Sequence, residues 1–323
     1  MSDSFPPFEP LFRNPHLATI AASQWPRHLD EVRYPVEAPL FRTEAGVQVL
    51  VQTQTPPSPQ ADAVLVHGLE GSSSGGYMRS MAQSLLDSGL TVHRMNIRSC
   101  GGTEFHCQTL YHAGLTSDLF AFLTELDRRR RTPAFLVGFS LGGNQVLKLA
   151  GELGSGAARL LAGVVAVSAP IDLAACCREL AKPANRLYQW HFLKNMRRRL
   201  TLRRKVIAAS LSYERLAQVK TVFDFDDIFT GPSFGFEGAE HYYSTQSAKA
   251  FLDKIRVPTL AVQSMDDPMI PYEVFRHPAF ETNPHLTLAA TQHGGHIGFL
   301  SRRRPRIWLD SVVRDWIVAR MRS

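Results

Sequence analysis

A chain of 323 residues is too long for a disulfide-stapled module; it fits one large α/β domain, or two small ones of ~150 residues each. The 44% apolar and 20% charged fractions exclude wholesale disorder, and four cysteines, two of them adjacent at Cys176 and Cys177, speak against a disulfide framework and for a reducing compartment. Thirty-six Lys and Arg against 29 Asp and Glu give a net charge of +7, which permits contact with anionic lipid or nucleic acid without requiring either.

Residues 1–10 carry Asp3, Glu9 and three prolines where a signal peptide needs a basic start and an apolar stretch. The longest apolar run, 160–171, is broken by Gly163, Ser168 and Pro170 and falls short of the ~20 residues that span a bilayer. A soluble, cytoplasmic protein is expected. Residues 47–54 (VQVLVQTQ) have the β-branched content of a half-buried strand, closed by three prolines in 55–60. A short strand at 63–66 runs into His67-Gly68, and 78–88 reads as a helix with Met81, Leu85 and Leu86 on one face. Then follow a strand at 91–97, a helix at 118–131 ended by Pro133, a strand at 134–137, a helix at 141–152 and a strand at 163–168. This alternation predicts an α/β fold with a mostly parallel central sheet and helices on both faces.

The rhythm breaks after Asp172 and resumes with strands at 257–263 and 286–290 and an amphipathic helix at 308–321. The predicted organisation is therefore an N-terminal extension and first part of the core in 1–172, a mainly helical cap insertion in 173–250, and the second part of the core in 251–323. No internal repeat or low-complexity tract is visible.

Gly138-Phe139-Ser140-Leu141-Gly142 is a G-x-S-x-G element between an apolar strand and a helix. A strand turning sharply into a helix strains its turn residue, and the flanking glycines remove side chains that would collide across the turn. Ser140 is then exposed at the carboxyl edge of the sheet as a nucleophile, and the Leu141 amide is free to donate to an oxyanion. The chain order Ser, acid, base places the base in Gln292-His293-Gly294-Gly295-His296, with His296 at the apex and His293 a supporting or rival imidazole. The two histidines lack the further ligands of a metal site, so no metal or cofactor is expected. The acid lies in Ser264-Met265-Asp266-Asp267-Pro268, where either aspartate could hold the imidazole; Asp267 is preferred because Pro271 follows four residues later, as is usual in the acid turn of such enzymes. His67-Gly68-Leu69-Glu70-Gly71 offers the Leu69 amide as the second oxyanion donor, with His67 bracing the loop. This stretch lacks the ending of a phosphate-binding loop.

Together these elements resemble the α/β-hydrolase superfamily, and more narrowly the YheT-like family (AB hydrolase family four), which includes the mammalian α/β-hydrolase-domain lipases. The residues that carry the narrower likeness are Asn14-Pro15-His16-Leu17-Ala18-Thr19, His67-Gly68-Leu69-Glu70-Gly71, Arg98-Ser99-Cys100-Gly101-Gly102, the stretch 138–143, Phe225-Asp226-Asp227-Ile228-Phe229-Thr230, Asp266-Asp267-Pro268 and Gly294-Gly295-His296-Ile297-Gly298-Phe299. One departure is Ala18, where the family usually has Gln. The resemblance implies Ser140, Asp267 and His296 as nucleophile, acid and base of a hydrolase acting on carboxylic esters or acylglycerols. It gives no ground for an N-terminal membrane anchor like that of the mammalian relatives. A thioesterase or amide hydrolase would use the same machinery, and a catalytically silent module binding lipid or a partner would keep the same fold.

Residues 194–205 (KNMRRRLTLRRK) hold seven basic side chains in twelve. They read either as a solvated helix face or as a handle for peripheral contact with anionic membrane; no nucleic-acid motif accompanies them. The aromatic set Phe223, Phe225, Phe229, Phe234, Phe236, Tyr242 and Tyr243 would line an apolar acyl pocket or dock the insertion on the core.

Overall fold

The computed structural model describes residues 5–130, 132–207 and 213–321. Outside them lie Arg131, the last residue of the helix expected at 118–131, residues 208–212 of the insertion and both chain ends. Eight strands form one sheet: β1 (Leu40–Glu44), β2 (Val47–Gln54), β3 (Ala61–Val66), β4 (Leu90–Met95), β5 (Ala134–Phe139), β6 (Leu161–Val167), β7 (Thr259–Ser264) and β8 (Leu286–Thr291), in the order β1-β2-β4-β3-β5-β6-β7-β8. The β1–β2 and β2–β4 pairs are antiparallel and the rest parallel. The main helices are α1 (Pro15–Gln24), α2 (Gly76–Leu86), α3 (Ser117–Arg130), α4 (Leu141–Leu153), α5 (Leu173–Leu180), α6 (Arg186–Leu202), α7 (Ala239–Gln246) and α8 (Trp308–Met321).

The central strands are apolar at nearly every position because both sheet faces are covered. On one face Leu65, Val137 and Val165 pack against Met81 and Leu85 of α2 and Val313 and Ile317 of α8. On the other, Val64, Leu136 and Val164 meet Phe122 and Leu123 of α3 and Val146 and Leu147 of α4. The chain runs from β3 out to β4 and returns across β3 to β5, so the carboxyl ends of β3 and β5 become neighbours, with Val66 level with Gly138. Open α/β sheets build their sites at such a reversal.

Between β6 and β7 the described residues form helices and turns. Asp172 caps α5, its carboxylate accepting from the Ala175 amide at 3.0 Å. Residues 222–233 form one helix that widens into a π turn at Asp226–Thr230. Leu193, Met196, Leu200, Phe225 and Phe229 join the same apolar cluster as the α3–α4 face, so the insertion shares the core of the sheet.

Helix α6 has two faces. Phe192, Met196, Arg199 and Arg203, spaced at four, three and four, turn toward the core, while Leu187, Trp190, Lys194 and Arg198 are exposed. Of the seven basic residues expected to act as one solvated or lipid-facing stretch, two are therefore buried. Arg203 donates through Nε to the Glu104 carbonyl at 2.8 Å and through Nη2 to those of Cys107 and Thr109. Arg199 pairs with Glu70. The aromatic set is divided too. Phe225, Tyr242 and Tyr243 line a cavity, Phe229 is core, Phe234 and Phe236 pack edge-on against His112, and Phe223 is exposed.

Among the described residues no helix is long and apolar enough to cross a membrane.

Candidate active site

Ser140 ends β5 and begins α4 with φ 51° and ψ −121°, a conformation that costs a non-glycine residue on the order of 1–3 kcal/mol. The surroundings hold it there. Its amide donates to the Val167 carbonyl of β6 at 2.8 Å and its carbonyl accepts from the Gly143 amide at 2.7 Å. A Cβ on Gly138 would lie 2.2 Å from the Gly142 carbonyl oxygen, and one on Gly142 would lie 2.6 Å from the carbonyl oxygens of Val66 and His67. The glycines of the elbow are thus demanded by contact with backbone, which cannot give way.

Ser140 Oγ stands 2.9 Å from His296 Nε2, and His296 Nδ1 stands 2.8 Å from Asp267 Oδ2. With Nδ1–H donating to the carboxylate, Nε2 is left to accept the serine hydroxyl proton. Asp267 has a fully buried side chain and is fixed by the Met269 and Ile270 amides, which donate to Oδ1 at 2.9 and 3.1 Å, and by Gln263 Nε2 at 3.3 Å from Oδ2. Asp266, the rival acid, turns the other way. Its Oδ2 meets His293 Nδ1 at 3.0 Å and its Oδ1 accepts from the Gly295 amide at 2.9 Å. Adjacent aspartates thus serve the two histidines of one loop, the inner pair reaching Ser140 and the outer pair bracing the turn. Among the described residues no group of three or more His, Cys, Asp or Glu could hold a metal.

The His296 loop is backed by α1, a helix that the sequence periodicity does not mark because it buries only Ala18, Thr19 and Ala22. Thr19 Oγ1 accepts from the His296 amide at 2.9 Å and donates to the Pro15 carbonyl at 2.7 Å. Asn14 caps the helix, its Oδ1 accepting from the Leu17 amide. This gives the Asn14-to-Thr19 motif a physical role: it makes the strut behind residue 296.

Opposite the elbow, His67 is buried and neutral. It is lowered from 6.5 to about 4 by burial, although Nδ1–H donates to the Gly68 carbonyl at 2.7 Å; Nε2 accepts from the Ile97 amide at 3.0 Å. Both ring nitrogens are engaged in holding the loop that carries Leu69. The amides of Leu69 and Leu141 have no acceptor among the described residues, and both residues line the same cavity as Ser140 and His296. Next to Leu69, Glu70 takes φ 56° and is clamped: its carboxylate accepts from Tyr111 Oη at 2.9 Å and pairs with Arg199 of α6, whose guanidinium lies 4.3 Å from the Tyr111 ring centroid. Sequence order gave no signal for this clamp, because its members are far apart in the chain.

The cavity has a volume of about 890 Å³, its open mouth included, and its wall is mainly apolar, with Leu173, Met196, Val222, Phe225, Met269 and Ile270 around the serine and imidazole. Polar side chains interrupt it, among them His112, Arg199 and Asp226. Asp226, in the π turn, accepts from Tyr243 Oη at 2.7 Å and is pushed by burial from 3.8 up to about 6. Asp227 faces away and caps α7, Oδ1 accepting from the Ala239 amide at 3.0 Å.

Residues 64–302 match the alpha/beta hydrolase fold family. The putative esterase YheT of Escherichia coli (strain K12) is 33% identical over 261 residues, covering 79% of this chain and 75% of YheT. The chain is an α/β hydrolase of the YheT-like family. It is also similar to a monoacylglycerol lipase of Saccharomyces cerevisiae, 26% identical over 87% of this chain and 65% of that protein. In fold it resembles the esterase Pf2001 of Pyrococcus furiosus, with a TM-score of 0.61 and 16% identity over 92% of this chain and 97% of that one. The fold and family expected from the sequence are those found.

Proposed function

We propose that this α/β hydrolase cleaves carboxylic esters of short- to medium-chain acids, acylglycerols among them, by acyl transfer to Ser140 and then to water. The observation that carries this reading is the unbroken hydrogen-bonded line from the buried Asp267 carboxylate through His296 to Ser140 Oγ at the wall of an apolar cavity. In the first half-reaction Oγ attacks the ester carbonyl as its proton passes to His296 Nε2. The imidazolium is stabilised by Asp267, and the oxyanion is held by the Leu69 and Leu141 amides. His296 then gives the proton to the departing alcohol, and water, activated by the same imidazole, releases the acid. No metal or organic cofactor enters this scheme. The oxygen ester is favoured as substrate by the similarity to YheT and to the yeast monoacylglycerol lipase, and a mainly apolar wall around Ser140 suits an acyl chain.

A fluorophosphonate probe tests the nucleophile, and p-nitrophenyl esters from acetate to palmitate test the chemistry. Labelling mapped to Ser140 and lost in Ser140→Ala, with turnover highest among the short and medium acyl chains, is the expected result. Folded protein that takes no label and turns over no ester of the series would identify a silent binding module instead.

A further inference from the structure

The outer face of α6 exposes large apolar side chains among basic ones. Leu187 is 71% exposed and Trp190 60%, one helical turn apart, and Lys194 Nζ lies 5.0 Å from the Trp190 ring centroid. A shallow groove beside them is lined by Arg186, Gln189, Trp190, Lys194, Arg197 and Lys220, with no carboxylate among its residues. Asp224, the acidic side chain next in sequence, spends its Oδ2 on the amides of Lys220 and Thr221. Helix α1 touches α6 through His16, which stacks on Tyr188 at 5.7 Å and bonds to its hydroxyl, and Leu17 and Ile20 of α1 are exposed as well.

An exposed tryptophan and leucine embedded in cations, with aliphatic neighbours, match the boundary between anionic headgroups and acyl chains. The same helix lines the cavity with Phe192, Met196 and Arg199 on its opposite face. We infer that the outer face of α6 docks the protein on an anionic lipid surface, Trp190 and Leu187 entering the headgroup–acyl boundary while Arg186, Lys194 and Lys220 face the lipid phosphates. Docking then sets a single helix between the source of acyl chains and the cavity. The inference goes beyond the reading of Ser140 and does not depend on it, because attachment is measured without turnover.

The experiment is sedimentation of the full chain with vesicles of phosphatidylcholine, with and without phosphatidylglycerol, alongside turnover of a soluble p-nitrophenyl ester. The expected result is attachment that requires phosphatidylglycerol, weakens as salt rises, falls roughly thirtyfold or more in Arg186→Glu/Lys194→Glu, and falls in Trp190→Ala, with soluble turnover unchanged in each variant. Equal attachment to both vesicle types, no attachment, or undiminished attachment of the charge-reversed variant overturns it. So does preferential capture by RNA offered together with the vesicles. Failure of the parent protein to attach, with its soluble turnover intact, would remove the docking face and leave the ester-hydrolase reading standing.

Discussion

Asp266 and Asp267 are chemically identical neighbours that do different work because of where their carboxylates point. Asp267 is buried and touches the ring whose other nitrogen reaches Ser140; Asp266 holds His293 and the Gly295 amide. Asp267→Asn is expected to lower kcat by ~10²–10⁴, since the amide favours the wrong imidazole tautomer. Asp266→Asn should keep activity within about tenfold of the parent, as the outer pair orients the turn without touching the reacting atoms. Steady-state kinetics on one p-nitrophenyl ester decide the point, and equal losses would sink it. The meeting of Ser140 with His296 was readable in the sequence because motif and chain order reflect the strand–turn–helix geometry directly. The choice between the aspartates rested on a proline four residues away. His112 and Arg199, both lining the cavity, carry no local signature, and Asp226 stood out only as part of a family motif with no role attached: the three come to one cavity only through the folding of the insertion onto the core.

Elements were legible where burial follows the usual rule that large apolar side chains face inward. The strands β3 to β8 and the helices α2, α3, α4 and α8 all do so. Helix α1 reverses it: Ala18, Thr19 and Ala22 are buried while Leu17 and Ile20 face out, so its periodicity does not read as a helix packing by apolar burial. Strand β1 (LFRTE) is an edge strand without one buried residue, and its alternation is correspondingly faint. Helix α6 hides two arginines that composition assigns to solvent. The buried pair it makes, Arg199 with Glu70, ties the insertion to the loop that carries Leu69. Arg199→Met would strand the Glu70 carboxylate, at an expected loss of about 3–5 kcal/mol in stability. Adding Glu70→Gln should restore part of it, and denaturant melts of the single and double variants measure both. If the single variant is as stable as the parent, the pair is not holding the insertion.

Across the whole molecule, buried titratable groups of opposite sign shape the response to pH. Burial lowers His67 and His112 from 6.5 to about 4 and about 3, respectively. As pH drops below 6.5 the unfolded chain takes up protons that these folded imidazoles refuse. Their contribution is therefore complete above pH 6.5 and drains away toward about 4 and 3. Asp226 and Asp310, raised by burial from 3.8 to about 6, act oppositely: the folded chain keeps protons the unfolded one gives up, so stability declines as pH climbs from 3.8 to about 6. His112→Phe, whose ring suits the surrounding Phe234, Phe236 and Tyr242, removes one histidine from this balance. Its stability deficit against the parent should shrink as pH falls from 6.5, in thermal melts across that range; a gap independent of pH would refute the assignment. One feature of the architecture bears on anyone trimming this chain to the segment, 64–302, that matches the family. Such a fragment retains the residue 296 ring and both its hydrogen-bonding partners, yet loses the threonine hydroxyl, 277 positions upstream, against which that residue's backbone leans. Minimal versions cut at the family boundary would keep all three members of the proposed triad and leave one of them slack.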